Sequence, residues 1–155
     1  CSSYIDYPSW SGNYGEMGVP SPTNYPGARY RSQGVYNKTT NILWIFGGNG
    51  YGETETGMKW KNFYNYLGTG YLNDLWKYDL NTNMWTWING SKQTEQKAYY
   101  VTKGVAHPNN VPGSRYGGCL WEDNNGALWL FGGSGFSPNG FTGIYISFYF
   151  SYNYF

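Results

Sequence analysis

The sequence predicts an all-β fold built from four-stranded antiparallel meanders, and three observations support this prediction. The residues that most favour helices are scarce among the 155 residues, with 4 Ala, 8 Leu, 5 Glu and 7 Lys. Aromatic residues make up 22% of the chain and glycine contributes 23 residues, a composition typical of short strands joined by turns. Blocks of strand-like sequence also recur at a fixed spacing. These features exclude an all-helical protein, and the aromatic content argues against a disordered one.

Two blocks of sequence occur twice in the same order. The segment GVPSPTNYPGARY (Gly18–Tyr30) returns as GVAHPNNVPGSRY (Gly104–Tyr116), at a spacing of 86 residues. The block ILWIFGGNGYG, which begins at Ile42, returns as ALWLFGGSGFS at a spacing of 85. The two spacings differ by one residue, and this difference falls in a turn, where insertions are tolerated. The chain is therefore expected to contain a repeated structural unit.

The first unit begins with a glycine-containing strand after Arg29, followed by a polar turn at Asn37–Asn41. The apolar run Ile42–Phe46 has the length of a strand buried on both faces, and Gly47 and Gly48 are expected to end it. A long loop rich in Gly and Tyr then covers residues 49–70.

Two further strands complete this unit. In Asp74–Leu80 the residues alternate between two faces, with Trp76 and Tyr78 on the same face. After the turn Asn81–Asn83, Met84–Ile88 places Trp85 and Trp87 on one face. Four consecutive strands joined by turns predict an antiparallel meander.

The second unit repeats only the first half of this pattern. Its first two strands are Arg115–Trp121 and Ala127–Phe131, joined by the turn Glu122–Gly126 and followed by Gly132 and Gly133. Cys119 is expected to be a small buried residue of the first of these strands. Beyond the diglycine the sequence no longer resembles the first unit.

Four short strands per repeat, punctuated by Gly and aromatic residues, indicate a β-propeller blade, and a blade needs neighbours on both faces. Residues 1–28 are interpreted as a connector from a preceding blade, and 29–90 as a first blade that carries the long loop. Residues 91–114 are then a connector between blades, and 115–155 a second, incomplete or divergent blade. The expected architecture is an incomplete propeller of about two blades.

The chain resembles a kelch-repeat protein, of the group that includes the galactose oxidase central domain. The resemblance depends on the diglycine Gly47-Gly48, the segment LNDLWKYDLNTNMW with Tyr78 and Trp85 seven residues apart, and the openings PGAR and PGSR. It extends from about Gly18 to Phe136 and implies a propeller of about six or seven blades. The tail NGFTGIYISFYFSYNYF departs from the pattern, as a divergent strand or as the end of a truncated product. Its lack of charge and of a closing Trp favours truncation.

Several function classes are disfavoured by the sequence. A net charge of +1 without a run of basic residues argues against nucleic-acid binding, and no apolar stretch is long enough for a membrane span. The resemblance to galactose oxidase implies a copper site with two His ligands, but His107 is the one histidine of the chain. No cofactor, metal site or catalytic residue is therefore expected, and the protein is predicted not to be an enzyme.

Arg29 and Arg115 recur at equivalent places in the two units. We expect them to bind backbone carbonyls or a carboxylate between blades, the alternative being that they face a ligand at the rim. Trp76, Trp85 and Trp87 are expected to pack between blades.

The long loop holds aromatic residues that no strand period places. The loop is a candidate binding loop, because Tyr and Trp are enriched at binding surfaces; the other interpretation is that it packs over its own blade. These candidate binding residues are Tyr51, Trp60, Phe63, Tyr64 and Tyr66.

The leading functional hypothesis is a non-enzymatic interaction module that binds a protein partner through the loops between strands. The alternative is a carbohydrate-associated or galactose-oxidase-like protein whose catalytic residues lie outside this chain; a third is a truncated product without independent function. Low charge and two glycosylation triplets, beginning at Asn37 and Asn89, weakly favour an extracellular or cell-surface location.

Overall fold

A computed structural model describes residues 10–53, 69–102, 104–105, 107–141 and 150–152, the last range by its backbone alone. The described residues form eleven β-strands and no helix, so the expectation of an all-β fold is confirmed. The described ranges therefore contain no helix that is long and apolar enough to cross a membrane. The strands are β1 (Arg29–Tyr30), β2 (Gln33–Asn37), β3 (Ile42–Gly50), β4 (Gly70–Asp79), β5 (Met84–Asn89), β6 (Arg115–Tyr116), β7 (Cys119–Glu122), β8 (Leu128–Phe131), β9 (Ser134–Ser137), β10 (Gly140–Phe141) and β11 (Phe150–Tyr152).

The first sheet is an antiparallel meander in which β2, β3, β4 and β5 pair in chain order. The short strand β1 also pairs with the end of β3, with Arg29 opposite Gly50. The strand expected after Arg29 is thus divided, because Arg31 adopts a left-handed conformation with φ of 55°.

The diglycine of the first unit does not end its strand, contrary to the expectation from sequence. β3 continues through Gly47 and Gly48 to Gly50, with a register shift against β4 between Phe46 and Gly48. Both glycines have positive φ, so the diglycine produces a bulge that only residues without a side chain adopt easily. In the second unit the strand does end before Gly132, and β9 starts after Gly133.

Successive residues of the first sheet alternate between two faces. We call the face with Val35, Trp44, Phe46 and Leu75 the front face; the back face carries Leu43, Ile45, Trp76 and Tyr78. The same names apply to the equivalent faces of the second unit.

The second unit repeats this pairing in shorter strands. β7, β8 and β11 form one antiparallel sheet, and β6, β9 and β10 form another. Arg115 lies opposite Gly135, just as Arg29 lies opposite Gly50. Phe150 lies opposite Leu130, the place that Trp76 has opposite Ile45. β11 therefore occupies the third-strand position, where the divergent-strand interpretation places it.

The main core lies between the two units. The front face of the first sheet packs through Trp44, Phe46 and Leu75 against Leu128 and Leu130 of the second unit. These two leucines are the counterparts of Leu43 and Ile45 and so belong to the back face of their own sheet. The units therefore stack front to back, in one direction along the chain.

The two connectors also share a structure, as the repeat of Gly18–Tyr30 at Gly104–Tyr116 predicts. Asn13 forms a β-bridge with Tyr25, and Tyr99 forms the corresponding bridge with Val111, 86 residues later in each case. The Asn24 side chain donates a hydrogen bond to the carbonyl of Val19, and Asn110 repeats this bond to Val105. The connectors are therefore part of the repeat.

Candidate functional site

The centre of the first unit holds a buried polar cluster. Arg29 donates two parallel hydrogen bonds to Asp74, with Nη1–Oδ1 and Nη2–Oδ2 distances of 2.7 and 2.8 Å. The same carboxylate accepts hydrogen bonds from the Tyr14 hydroxyl and from Nε1 of Trp76. This cluster ties the connector, β1 and β4 together.

Burial and charge determine the protonation of this cluster. Burial raises the pKa of Tyr14, and the negative charge of Asp74 raises it further. Burial alone would lower the pKa of Arg29, but the attraction of Asp74 outweighs it and the pKa is raised. The Arg29 side chain is 7% exposed and that of Asp74 is fully buried. The cluster is therefore a charged structural anchor that is almost fully shielded from solvent.

Arg115 repeats the backbone contacts of Arg29. Its Nε and Nη1 atoms donate to the carbonyls of Gly113 and Gly132 at 3.0 and 3.1 Å, as Arg29 does to Gly27 and Gly47. Burial lowers the pKa of Arg115, with an opposing contribution from Tyr100. Because Arg115 is 2% exposed, the alternative in which these arginines face a ligand is not supported by their positions. The carboxylate partner of Arg29 also lies in its own unit rather than across a junction.

The tryptophans expected to pack between blades lie on the face of the first sheet that is turned away from the second unit. Trp76 and Trp87 pack on the back face of the first sheet against Tyr14, with partly buried Trp85 beside them. The Tyr78 and Trp85 rings are neighbours on adjacent strands, with centroids 4.8 Å apart. These tryptophans take no part in the junction of the two described units, which uses the opposite face of the first sheet. Their packing between blades therefore stays a prediction.

Only the stem of the candidate binding loop belongs to the described residues. Tyr51 is 8% exposed and packs edge-on against Trp10, so it supports the loop rather than facing solvent. Lys92 forms an ion pair with Glu53 at 2.8 Å, which fixes the stem to the following connector. The candidates Trp60, Phe63, Tyr64 and Tyr66 lie outside the described residues.

An aromatic surface that the sequence interpretation missed lies beside this stem. We call it the tyrosine rim; its rings come from both units, at the strand ends from which the loop leaves. The ring of Tyr71 lies 4.9 Å from that of Tyr116 and 5.6 Å from that of Phe141. Tyr30 and Phe141 are the most exposed members, at 58% and 54%. The tyrosine rim consists of Tyr30, Tyr71, Tyr116, Phe136 and Phe141.

A cation borders the tyrosine rim. The guanidinium of Arg31 lies 5.5 Å from the centroid of the Tyr116 ring, within the range of a cation–π contact. Burial, together with the neighbouring Tyr116, raises the pKa of Tyr71 to about 12. At neutral pH the rim therefore presents the protonated phenol of Tyr71 near a positive charge. In the sequence, the one indication of this surface was that Tyr30 and Tyr116 occupy the same position in the two repeats.

A groove of about 530 Å³ lies on the front face of the first sheet, over β4 and β5. Lys77, Asp79 and Thr86 provide polar groups in it, while Trp44 and Met84 provide apolar walls. Its volume falls within the range of pockets that bind small ligands.

The reactive side chains are dispersed. His107 lies in an exposed turn, where Nδ1 accepts a hydrogen bond from the backbone of Asn109. Cys119 is exposed, so the expectation that it is buried is wrong: it lies on the front face of the second unit, away from the core. Within the described ranges no three His, Cys, Asp or Glu side chains are grouped as a metal site requires.

Compared with models of known protein families the chain matches none, and a search of curated proteins also found no match. The kelch resemblance therefore depends on the motifs and the repeat, and it stays a prediction.

Proposed function

We propose that this chain forms two blades of a kelch-type β-propeller that serves as a non-enzymatic protein-interaction module. The blade assignment is supported by the four-stranded meander of the first unit and by the front-to-back stacking of the second unit on it. In a propeller every blade contacts the next in this manner. The buried ionisable groups support a structural role, since Arg29 and Asp74 are engaged with each other.

The tyrosine rim is the observation that supports protein binding. It combines exposed Tyr and Phe rings with a neighbouring guanidinium, and Tyr and Arg are among the residues that contribute most to the energy of protein interfaces. Strands of both units hold it in place, so little conformational entropy is lost on binding. The rim also adjoins the stem of the long loop, which allows both to contact one partner.

A peptide library displayed on phage and selected against the whole chain tests this proposal. Selected peptides are expected to lose about tenfold or more in affinity for a Tyr30→Ala variant, the loss of one hot-spot side chain. Tyr36→Ala is the matched control: Tyr36 is 50% exposed and lies at the opposite end of the sheet. Peptides that bind both variants as they bind the parent chain would contradict the proposal, as would a selection without binders.

Carbohydrate binding is the second candidate function, and the groove over β4 and β5 favours it. The groove offers a lysine, an aspartate and hydroxyl groups between apolar walls, which suits a sugar with many hydroxyls. On a glycan array, binding by the parent chain that is lost in Asp79→Ala and kept in Tyr30→Ala would support this function. An array without bound glycans would remove it.

A further inference from the structure

The junction between the two units leaves one face of each unit uncovered by the other. The first unit uses its front face and the second uses its back face. The front face of the second unit and the back face of the first are therefore the two faces that do not take part in this contact. They are the repeat counterparts of the two faces that do.

The front face of the second unit is apolar and exposed. Cys119 lies opposite Phe131, and Trp121 lies opposite Trp129, all directed away from the core. The two tryptophan rings are stacked, with centroids 6.3 Å apart. Trp121 and Phe131 are 39% and 38% exposed, although Phe46, the counterpart of Phe131, is buried. A contiguous apolar patch of this kind marks an interaction site.

The back face of the first sheet carries the complementary pattern. Leu43 and Ile45 are only partly buried there, whereas their counterparts Leu128 and Leu130 are buried at the junction. The connector 10–28 does not prevent a further contact, because its counterpart 96–114 has the same bridge and hydrogen bonds next to the occupied back face.

We propose that a second copy of this chain docks on the front face of the second unit through the back face of its own first sheet. The contact would repeat, between chains, the front-to-back packing that already exists within the chain. Every copy carries both faces, so the association runs head to tail and continues until a ring closes or a filament forms. The proposal depends on the observed stacking and not on any ligand of the tyrosine rim.

Light scattering coupled to gel filtration tests the association. The parent chain is expected to grow with concentration in multiples of its mass of 17.7 kDa. Phe131→Asp removes one face and Leu43→Asp the other, so each variant alone is expected at the mass of one chain. An equimolar mixture should form a one-to-one heterodimer, since each variant keeps the face that the other lacks. Leu80→Asp is the control: Leu80 is 41% exposed in a turn and should leave association unchanged.

A second measurement avoids the risk that a charged variant fails to fold. In a Cys1→Ser background the single remaining thiol is Cys119, which lies within the proposed contact. Its rate of modification by a thiol reagent is expected to fall as protein concentration rises. A single-chain mass at all concentrations with constant thiol reactivity would overturn the proposal. So would growth that Phe131→Asp does not stop, or mixed variants that do not pair.

Discussion

Phe46 and Phe131 occupy the same position in the two units, each directly before a diglycine, yet their exposed fractions are 5% and 38%. The residues around them are similar, and both lie on the front face of their strand. The difference arises because the back face of the second unit covers Phe46, whereas the first unit lies on the other side of Phe131. Burial in this protein is thus decided by the neighbouring sheet rather than by the local sequence.

Arg29 and Arg115 also differ between the two units, although they occupy equivalent positions. Arg29 and Arg115 make the same backbone contacts, but the pKa of Arg29 is raised by Asp74 while burial lowers that of Arg115. A repeated residue can therefore keep its geometry while its electrostatic surroundings change. Matched variants in the two units therefore separate the contribution of local geometry to stability from that of the surrounding charges and packing.

The largest effect is expected for Asp74→Asn. The change removes the charge that compensates buried Arg29 and weakens the bonds from Tyr14 and Trp76. Leaving a buried charge without its partner costs about 3–5 kcal/mol, so the free energy of unfolding should fall by that amount in urea denaturation.

Asp123→Asn in the second unit is the control for that change. Asp123 also accepts a hydrogen bond from a tryptophan, Trp129 at 2.9 Å, but it lies in a surface turn where water can replace the lost interaction. A much smaller loss of stability is expected. Equal losses for the two variants would show that the Arg29–Asp74 pair does not anchor the first unit.

The next largest effect on the free energy of unfolding is expected for Phe46→Ala, with Phe131→Ala as its counterpart in the second unit. Removing a buried phenylalanine costs about 3–5 kcal/mol because a cavity remains, so Phe46→Ala should be strongly destabilising. Phe131→Ala is expected to cost about 1 kcal/mol or less, because its ring is partly hydrated already. Both values come from urea denaturation at low protein concentration, where self-association does not contribute. Equal costs would contradict the stacking of the second unit on the front face of the first.

The repeat and the all-β class could be predicted from the sequence because both follow from local pattern. The run Ile42–Phe46 and its counterpart Ala127–Phe131 have strand length, and each precedes a diglycine. The residues that share a face also follow, since successive side chains of a strand alternate between its two faces.

The faces that meet could not be predicted in this way. Trp76 and Trp87 were expected to pack between blades, and their contact with Tyr14, about sixty residues earlier, has no local signal in the sequence. Cys119 was expected to be buried because its neighbours are apolar, although in a strand its two neighbours face the other side. The tyrosine rim arises only when Tyr71 of one unit meets Tyr116 of the next, a long-range contact without a local signal.

The smallest expected effect is the difference in destabilisation between Gly47→Ala and Gly132→Ala. Both glycines have positive φ, so alanine at either position is strained by about 1–2 kcal/mol. A methyl group at Gly132 would meet no atom within 4 Å, whereas at Gly47 it would lie 2.7 Å from the carbonyl oxygen of Arg115 and 2.9 Å from that of Leu72. Overpacking at that point should add about 1–3 kcal/mol. An extra cost at Gly47 is therefore expected in urea denaturation, and it arises from both carbonyls, of which that of Arg115 belongs to the second unit. Equal costs would mean that neither carbonyl lies this close to Gly47.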